Sequence, residues 1–143
     1  MQQLMEFAGN HGMLVAGFAA VILLLIWTEI SRHTRGYLEL TPAQAVLKIN
    51  QGNTSIVDIS TQADYSKSHL SGAKHIALSR FSKPDPEIEG LKSGAVLVVC
   101  KNGQTAHQAA ARLVKLGAKD VAVLKGGVSQ WKSDQYPLAT GNG

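Results

Sequence analysis

The chain carries a single thiol, Cys100, at the end of the apolar run Ala95-Val96-Leu97-Val98-Val99-Cys100. Lys101-Asn102-Gly103-Gln104-Thr105 follow, and then a segment with helical spacing. This order predicts a thiol at the C-terminal tip of a buried strand, on a short glycine-containing loop facing the N-terminus of a helix. Backbone N–H groups and the positive end of the helix dipole favour an anion at such a place. A thiol held there is expected to ionise more readily and to be more reactive than a free cysteine. The competing reading is a small buried apolar side chain, which a lone cysteine often is.

Other side chains could support that chemistry. Asp58 follows Ser55-Ile56-Val57. It reads either as a polar neighbour of the loop or as a strand-end carboxylate that hydrogen-bonds loop N–H groups. His69 reads as an acid or base, or as a ring that bonds backbone and fixes the turn before Gly72. Trp131 reads as a core plug behind Gly126-Gly127, or as a wall of a substrate cleft. His75 and His107 are not spaced with the cysteine as metal ligands, so no metal is assigned.

The elements that must position these groups alternate in type. Tyr37–Leu40, Ser55–Ile59, Ala73–Leu78, Ala95–Cys100 and Val121–Leu124 are predicted strands. Helices are expected from Thr41-Pro42, with Thr41 as N-cap and Pro42 at the first helical position, to near Gly52. Others are expected at Gln62–Lys67, from the Pro84-Asp85-Pro86 turn to Leu91, at Gln104–Leu116 and at Val128–Lys132. Ala106, Ala109, Ala110 and Leu113 lie one to two turns apart and form one apolar stripe, closed by Gly117. Strands alternating with helices imply parallel pairing and right-handed crossovers. Strands apolar on both faces fit an α/β fold with a central parallel sheet flanked by helices. Ligands in such folds bind beyond the carboxyl ends of the strands, where Cys100 falls.

The first thirty residues have a different character. All 14 Lys and Arg side chains lie at or after Arg32, and Phe7–Thr28 contains no charged residue. Those residues would form a helix of roughly 33 Å, enough to cross a bilayer core of about 30 Å. A signal peptide would need a basic start and a small-residue cleavage site, and the run instead ends in Ile26-Trp27. Arg32 and Arg35 follow the span, so the positive-inside rule places the C-terminal side in the cytoplasm. An unpaired thiol persists in that reducing compartment. The expected organisation is an N-terminal segment and transmembrane helix at 1–30, a linker at 31–36 and a domain at 37–143. The domain's excess of basic side chains suits anionic lipid headgroups or a solvated surface. Their scatter, without interleaved aromatics, argues against nucleic acid.

Four segments then occur in order: Val57-Asp58-Ile59-Ser60, Tyr65-Ser66-Lys67-Ser68-His69-Leu70-Ser71-Gly72-Ala73, Cys100 with Gly103, and Gly126-Gly127-Val128-Ser129-Gln130-Trp131. Through them the chain from about Leu38 to Leu138 resembles a single rhodanese-like domain of the sulfurtransferase family. The membrane anchor before it is similar to that of small membrane-anchored rhodanese-like proteins of bacteria. The resemblance implies that Cys100 takes a sulfane sulfur from a donor such as thiosulfate and passes it, as a persulfide, to a thiol or cyanide. Backbone N–H groups of Lys101, Asn102, Gly103, Gln104 and Thr105 would cradle that persulfide, and the Lys101 ammonium would attract an anionic donor. No cofactor is implied. The partners implied are a donor, a thiol acceptor and the inner-membrane bilayer, with a membrane protein as a further candidate.

Two departures from the family pattern bear on activity. Many active members carry an arginine in or just after the loop, where this chain has Gln104, Thr105 and Ala106. Ser60 stands where the family has arginine. A membrane-tethered binding module of weak activity is therefore the alternative. Related phosphatases use Cys-x-x-x-x-x-Arg; here the sixth position after Cys100 is Ala106 and the next arginine is Arg112, which argues against phosphate chemistry.

Overall fold

The computed structural model describes residues 1–142. They divide into two units, Met1–Arg35 and the chain from Gly36 onward.

The first unit holds helices α1 (Gln2–Asn10) and α2 (Gly12–Thr34). They are separated at His11, whose φ of −129° and ψ of 48° leave the helical region. Gly9-Asn10-His11-Gly12 contains only weak helix formers, which locates the break. α2 has 23 residues, a mean hydropathy of 2.3 over its most apolar window, and no buried side chain. It runs through Ser31–Thr34, most of the stretch expected to be a linker. Nothing in Ser31–Arg35 breaks a helix, and the Thr34 hydroxyl donates back to the Ile30 carbonyl at 3.1 Å. Gly36, at φ +75°, is the first residue that leaves the helical course with a conformation glycine favours.

The second unit contains, in chain order, β1 (Leu38–Leu40), α3 (Pro42–Asn50), β2 (Thr54–Asp58), α4 (Gln62–Lys67), β3 (His69–Leu70), β4 (Lys74–His75), α5 (Pro86–Leu91), β5 (Ala95–Val99), α6 (Ala106–Lys115), β6 (Asp120–Leu124), α7 (Gly127–Ser133) and β7 (Leu138–Ala139). The main sheet has the order β1-β6-β5-β2-β4, and every pairing in it is parallel. β5 lies at its centre, with Val98 beside Val57 and Val123.

Strand alternation divides the core into two layers. Val57, Val96, Val98, Val121 and Val123 pack with Ala106, Ala109, Ala110 and Leu113 of α6 and Ile88 of α5. Ile56, Leu97, Val99, Ala122 and Leu124 pack with Ala45 of α3, Tyr65 of α4 and Trp131 of α7. Fully burying one such aliphatic side chain contributes about 1.5–3 kcal/mol, so β5, buried on both faces, is a rigid support. The α6 stripe is inaccessible at all four expected positions. At α3, the Thr41 side chain accepts from Gln44 N while the Gln44 amide accepts from Thr41 N, a reciprocal cap that fixes the helix start.

Two local differences from the sequence expectation stand out. The strand expected at Ala73–Leu78 pairs only at Lys74–His75; Ile76 N still donates to Asp58 O at 3.0 Å, and a 3-10 turn then spans Leu78–Ser82. β3 and β7 form an antiparallel pair outside the strands expected from the sequence.

Candidate active site

β5 ends at Val99, so Cys100 is the first residue beyond the central strand at its carboxyl end. Its side chain is 1% exposed. The sulfur is not surrounded by apolar atoms alone, because Gly103 N donates to Cys100 Sγ at 3.0 Å. A main-chain N–H aimed at sulfur is a donor placed to stabilise negative charge that develops there during a reaction. Gly103 has φ +86°, and a Cβ there would fall 2.7 Å from Gly126 N, so no other residue closes the loop in this way.

The N-terminus of α7 holds the other side of the loop. Val128 N donates to Cys100 O at 2.9 Å and Ser129 N donates to Lys101 O at 2.9 Å. These bonds use N–H groups that the first turn of a helix cannot satisfy internally. They also bind the loop's carbonyls to α7 while Gly103 turns its N–H to the sulfur. The approach requires Gly127: a Cβ at its φ of +61° would lie 2.7 Å from Gly103 N, 2.8 Å from Asn102 N, and closer still to the Cys100 carbonyl oxygen. Gly126-Gly127 is therefore a seat for the loop as well as the entry from β6 into α7.

The other loop residues make local bonds. Gln104 N points to Asn102 Oδ1 at 3.4 Å, and Thr105 O accepts from Gln108 N as α6 begins. Gly103 supplies the one N–H with a bond to Sγ among the described residues. The Lys101 ammonium, on an exposed side chain, sits 3.5 Å from Asp64 Oδ1.

Asp58 lies at the end of β2, fully buried beside Val99. Its Oδ1 accepts from Ser60 N at 2.9 Å and from the Ser60 hydroxyl, while its Oδ2 has no partner among the described residues. It thus binds the start of the neighbouring loop, the strand-end arrangement read from the sequence. His75 closes the same turn, with Nε2 donating to Ser60 O at 2.7 Å. Two clefts adjoin the Cys100 loop, of about 170 and 560 Å³. Ser60, Asp64 and Lys101 line both. Lys67 and Lys132 border the smaller one.

His69 and Trp131 belong to the frame. His69 Nδ1 donates to Tyr65 O at 2.7 Å, and its ring stacks on Tyr65 at 3.9 Å between centroids. Trp131 Nε1 donates to Pro137 O at 2.9 Å, and the ring packs with Leu124 and Tyr136 in the α3–α7 layer. Neither side chain lines the clefts at the loop. Arg112 lies on α6 beside Leu78, Phe81 and Gln108, lining another cleft, and is not part of the cysteine loop.

Asp64, Lys67, Ser68 and Lys132 border the clefts and had not been singled out. The Thr61-x-x-Asp64 spacing was readable as a helix start. The meeting of Asp64 with a lysine 37 positions away is set only by the tertiary fold.

A family model for the rhodanese-like domain matches residues 41–134. The chain is similar to an uncharacterized protein of Escherichia coli K12, YibN, with 30% identity over 142 residues, 99% of each chain. It is similar to the thiosulfate sulfurtransferase GlpE of Pseudomonas fluorescens, with 35% identity over 107 residues, 75% of this chain and 94% of the relative. Among solved structures, a Rhodopseudomonas palustris protein of unknown function, described as a possible tyrosine phosphatase, superposes with a TM-score of 0.64 at 21% identity. The match covers 72% of this chain and 85% of that one, and it shows a shared fold. The chain belongs to the rhodanese-like family.

Proposed function

We propose that this rhodanese-like protein is a sulfurtransferase that carries sulfane sulfur as a persulfide on Cys100. The observation that carries the reading is the Gly103 N–H on Sγ at the end of the central strand, in a loop whose carbonyls are held by α7. The Cys100 thiolate attacks the outer sulfur of thiosulfate. A Cys–S–S bond forms, the S–S bond of thiosulfate breaks, and sulfite leaves with the electron pair. A thiolate or cyanide then attacks the outer sulfur, and the Cys100 thiolate is regenerated. The inward N–H stabilises negative charge on sulfur at both stages. The similarity to proteins named thiosulfate sulfurtransferase supports this chemistry. Phosphate transfer is disfavoured because no arginine stands six positions after the cysteine.

α2 is read as a single membrane span with the domain on the cytoplasmic side. Its length and hydropathy suit a bilayer, and Arg32 and Arg35 follow it. The full chain in detergent, given thiosulfate and cyanide, should release thiocyanate, and Cys100→Ser should not. Equal release by the two proteins would defeat the assignment. If neither turns over any sulfane donor, the tethered binding module becomes the better account. Carbonate-resistant membrane association should vanish when residues 1–30 are removed.

A further inference from the structure

The structure assigns to Asp64 a role in donor selection: by pairing with Lys101, it withholds the catalytic loop's cation from anionic donors. Lys101 is the sole Lys or Arg among Cys100–Thr105 and directly follows the nucleophile. Its ammonium lies 3.5 Å from Asp64 Oδ1, although its side chain is 67% exposed and free to swing elsewhere. Asp64, by contrast, is held in place. Its side chain is 28% exposed, its Oδ2 accepts from the Thr61 hydroxyl at 3.0 Å, and its N–H donates to Thr61 Oγ1 at 3.2 Å. The Thr61 hydrogen bond, with Lys101 and Lys67 adding to it, keeps the Asp64 carboxyl below the usual carboxylate range, so it is charged near neutrality. A fixed anion and a mobile cation make the carboxylate the partner that decides where the ammonium rests.

The position of the pair gives it a consequence. Asp64 and Lys101 line both clefts at the cysteine loop. A dianion such as thiosulfate approaching there meets Lys67 and Lys132 at the smaller cleft, but the ammonium that directly follows the nucleophile is already engaged with a carboxylate. A neutral donor, or a persulfide whose charge lies far from the transferred sulfur, is not penalised in that way. The inference rests on the reading of Cys100 as the reacting thiol and adds a selection among donors.

Charge selectivity at Cys100 can be measured without sulfur transfer, because the chain has no second cysteine. The full chain is alkylated with iodoacetate, an anion, and with iodoacetamide, its neutral counterpart, and the ratio of the two rate constants is taken. Asp64→Asn retains an acceptor for Thr61 and should raise that ratio about threefold, the scale of a screened surface charge. Lys101→Gln should lower it about fivefold in the Asp64→Asn background but less than twofold in the native one, where the ammonium is already held. Melting temperatures close to that of the native chain would exclude a folding defect. The KM for thiosulfate should fall about threefold in Asp64→Asn with kcat little changed. A ratio unaffected by Asp64→Asn, or an equal effect of Lys101→Gln in both backgrounds, would overturn the assignment. A clear alkylation shift in a protein that never loads sulfur would uphold the control of charge selectivity at Cys100 by Asp64 but overturn its role in donor selection, together with the sulfur relay.

Discussion

The Cys100–Thr105 loop and the Tyr65–Ala73 segment each carry a motif with a reactive-looking side chain, and the fold treats the two side chains in opposite ways. His69 is enclosed: Nδ1 is bound to Tyr65 O, its ring stacks on Tyr65, and the Tyr65 hydroxyl donates to Ala73 O at 2.6 Å. Its polar contacts all serve the segment's own shape. Cys100 is equally buried, yet its sulfur receives a backbone N–H from a loop bordered by two clefts. Burial therefore does not separate a side chain enclosed by its own segment from the proposed nucleophile. The distinction is whether the surroundings stabilise a charge that chemistry needs.

The change expected to disturb this comparison most is Gly127→Ala. The new methyl would collide with the loop backbone at a left-handed φ, and the loop would have to leave α7. A stability loss of about 3 kcal/mol in urea unfolding is expected. Persulfide loading per folded molecule should fall at least about thirtyfold, the scale of a misplaced catalytic group. Gly52→Ala is the control, since Gly52 has φ +86° but nothing within 4 Å of its Cβ position. It should cost about 1 kcal/mol and leave loading unchanged.

His69→Ala tests the other half of the comparison. It opens a cavity and strands the Tyr65 carbonyl, so about 2–3 kcal/mol of stability should be lost. Loading by the protein that stays folded should match the native chain in a mass-resolved assay. A loss of loading without a loss of stability would place His69 in the chemistry.

The smallest effect concerns the charges around Arg80, in the 3-10 turn at Leu78–Ser82. Burial raises the Asp85 carboxyl, but hydrogen bonds from Arg80 and Glu87 N outweigh it and the net direction is down. Lys74 first and Arg80 next lower Glu87. Both carboxyls thus lie below their unfolded values. Their contribution is full above the ordinary carboxylate range, near pH 4, and is lost as pH falls through the lowered values. Arg80→Gln should flatten the acid limb of a stability–pH curve and leave sulfur loading at neutral pH unaltered.

Much of this arrangement could be read from the sequence because it depends on local pattern. The apolar run before Cys100 and the alanine stripe of α6 state their own periodicity, and Thr41-Pro42 announces a helix start. The α/β class and the parallel sheet follow from them. β3 and β7 were missed because a two-residue strand has no period to detect and its partner lies about seventy positions away. α2 continues to Thr34 because a change from apolar to polar residues does not end a helix, which runs on until a residue such as Gly36 leaves it. At the site, the cysteine and loop glycine were legible. The engagement of Lys101 by Asp64 and the seating of the loop on Gly127 were not, since both are made by tertiary approach.

The most direct test of the account is the intact mass of the full chain after thiosulfate treatment, measured for the native protein and for Cys100→Ser. The account predicts an adduct of about 32 Da, one sulfur atom, on the native chain alone, removed by cyanide with the formation of thiocyanate. An adduct on Cys100→Ser, or a native chain that takes up no sulfur from thiosulfate or any other sulfane donor, would contradict it.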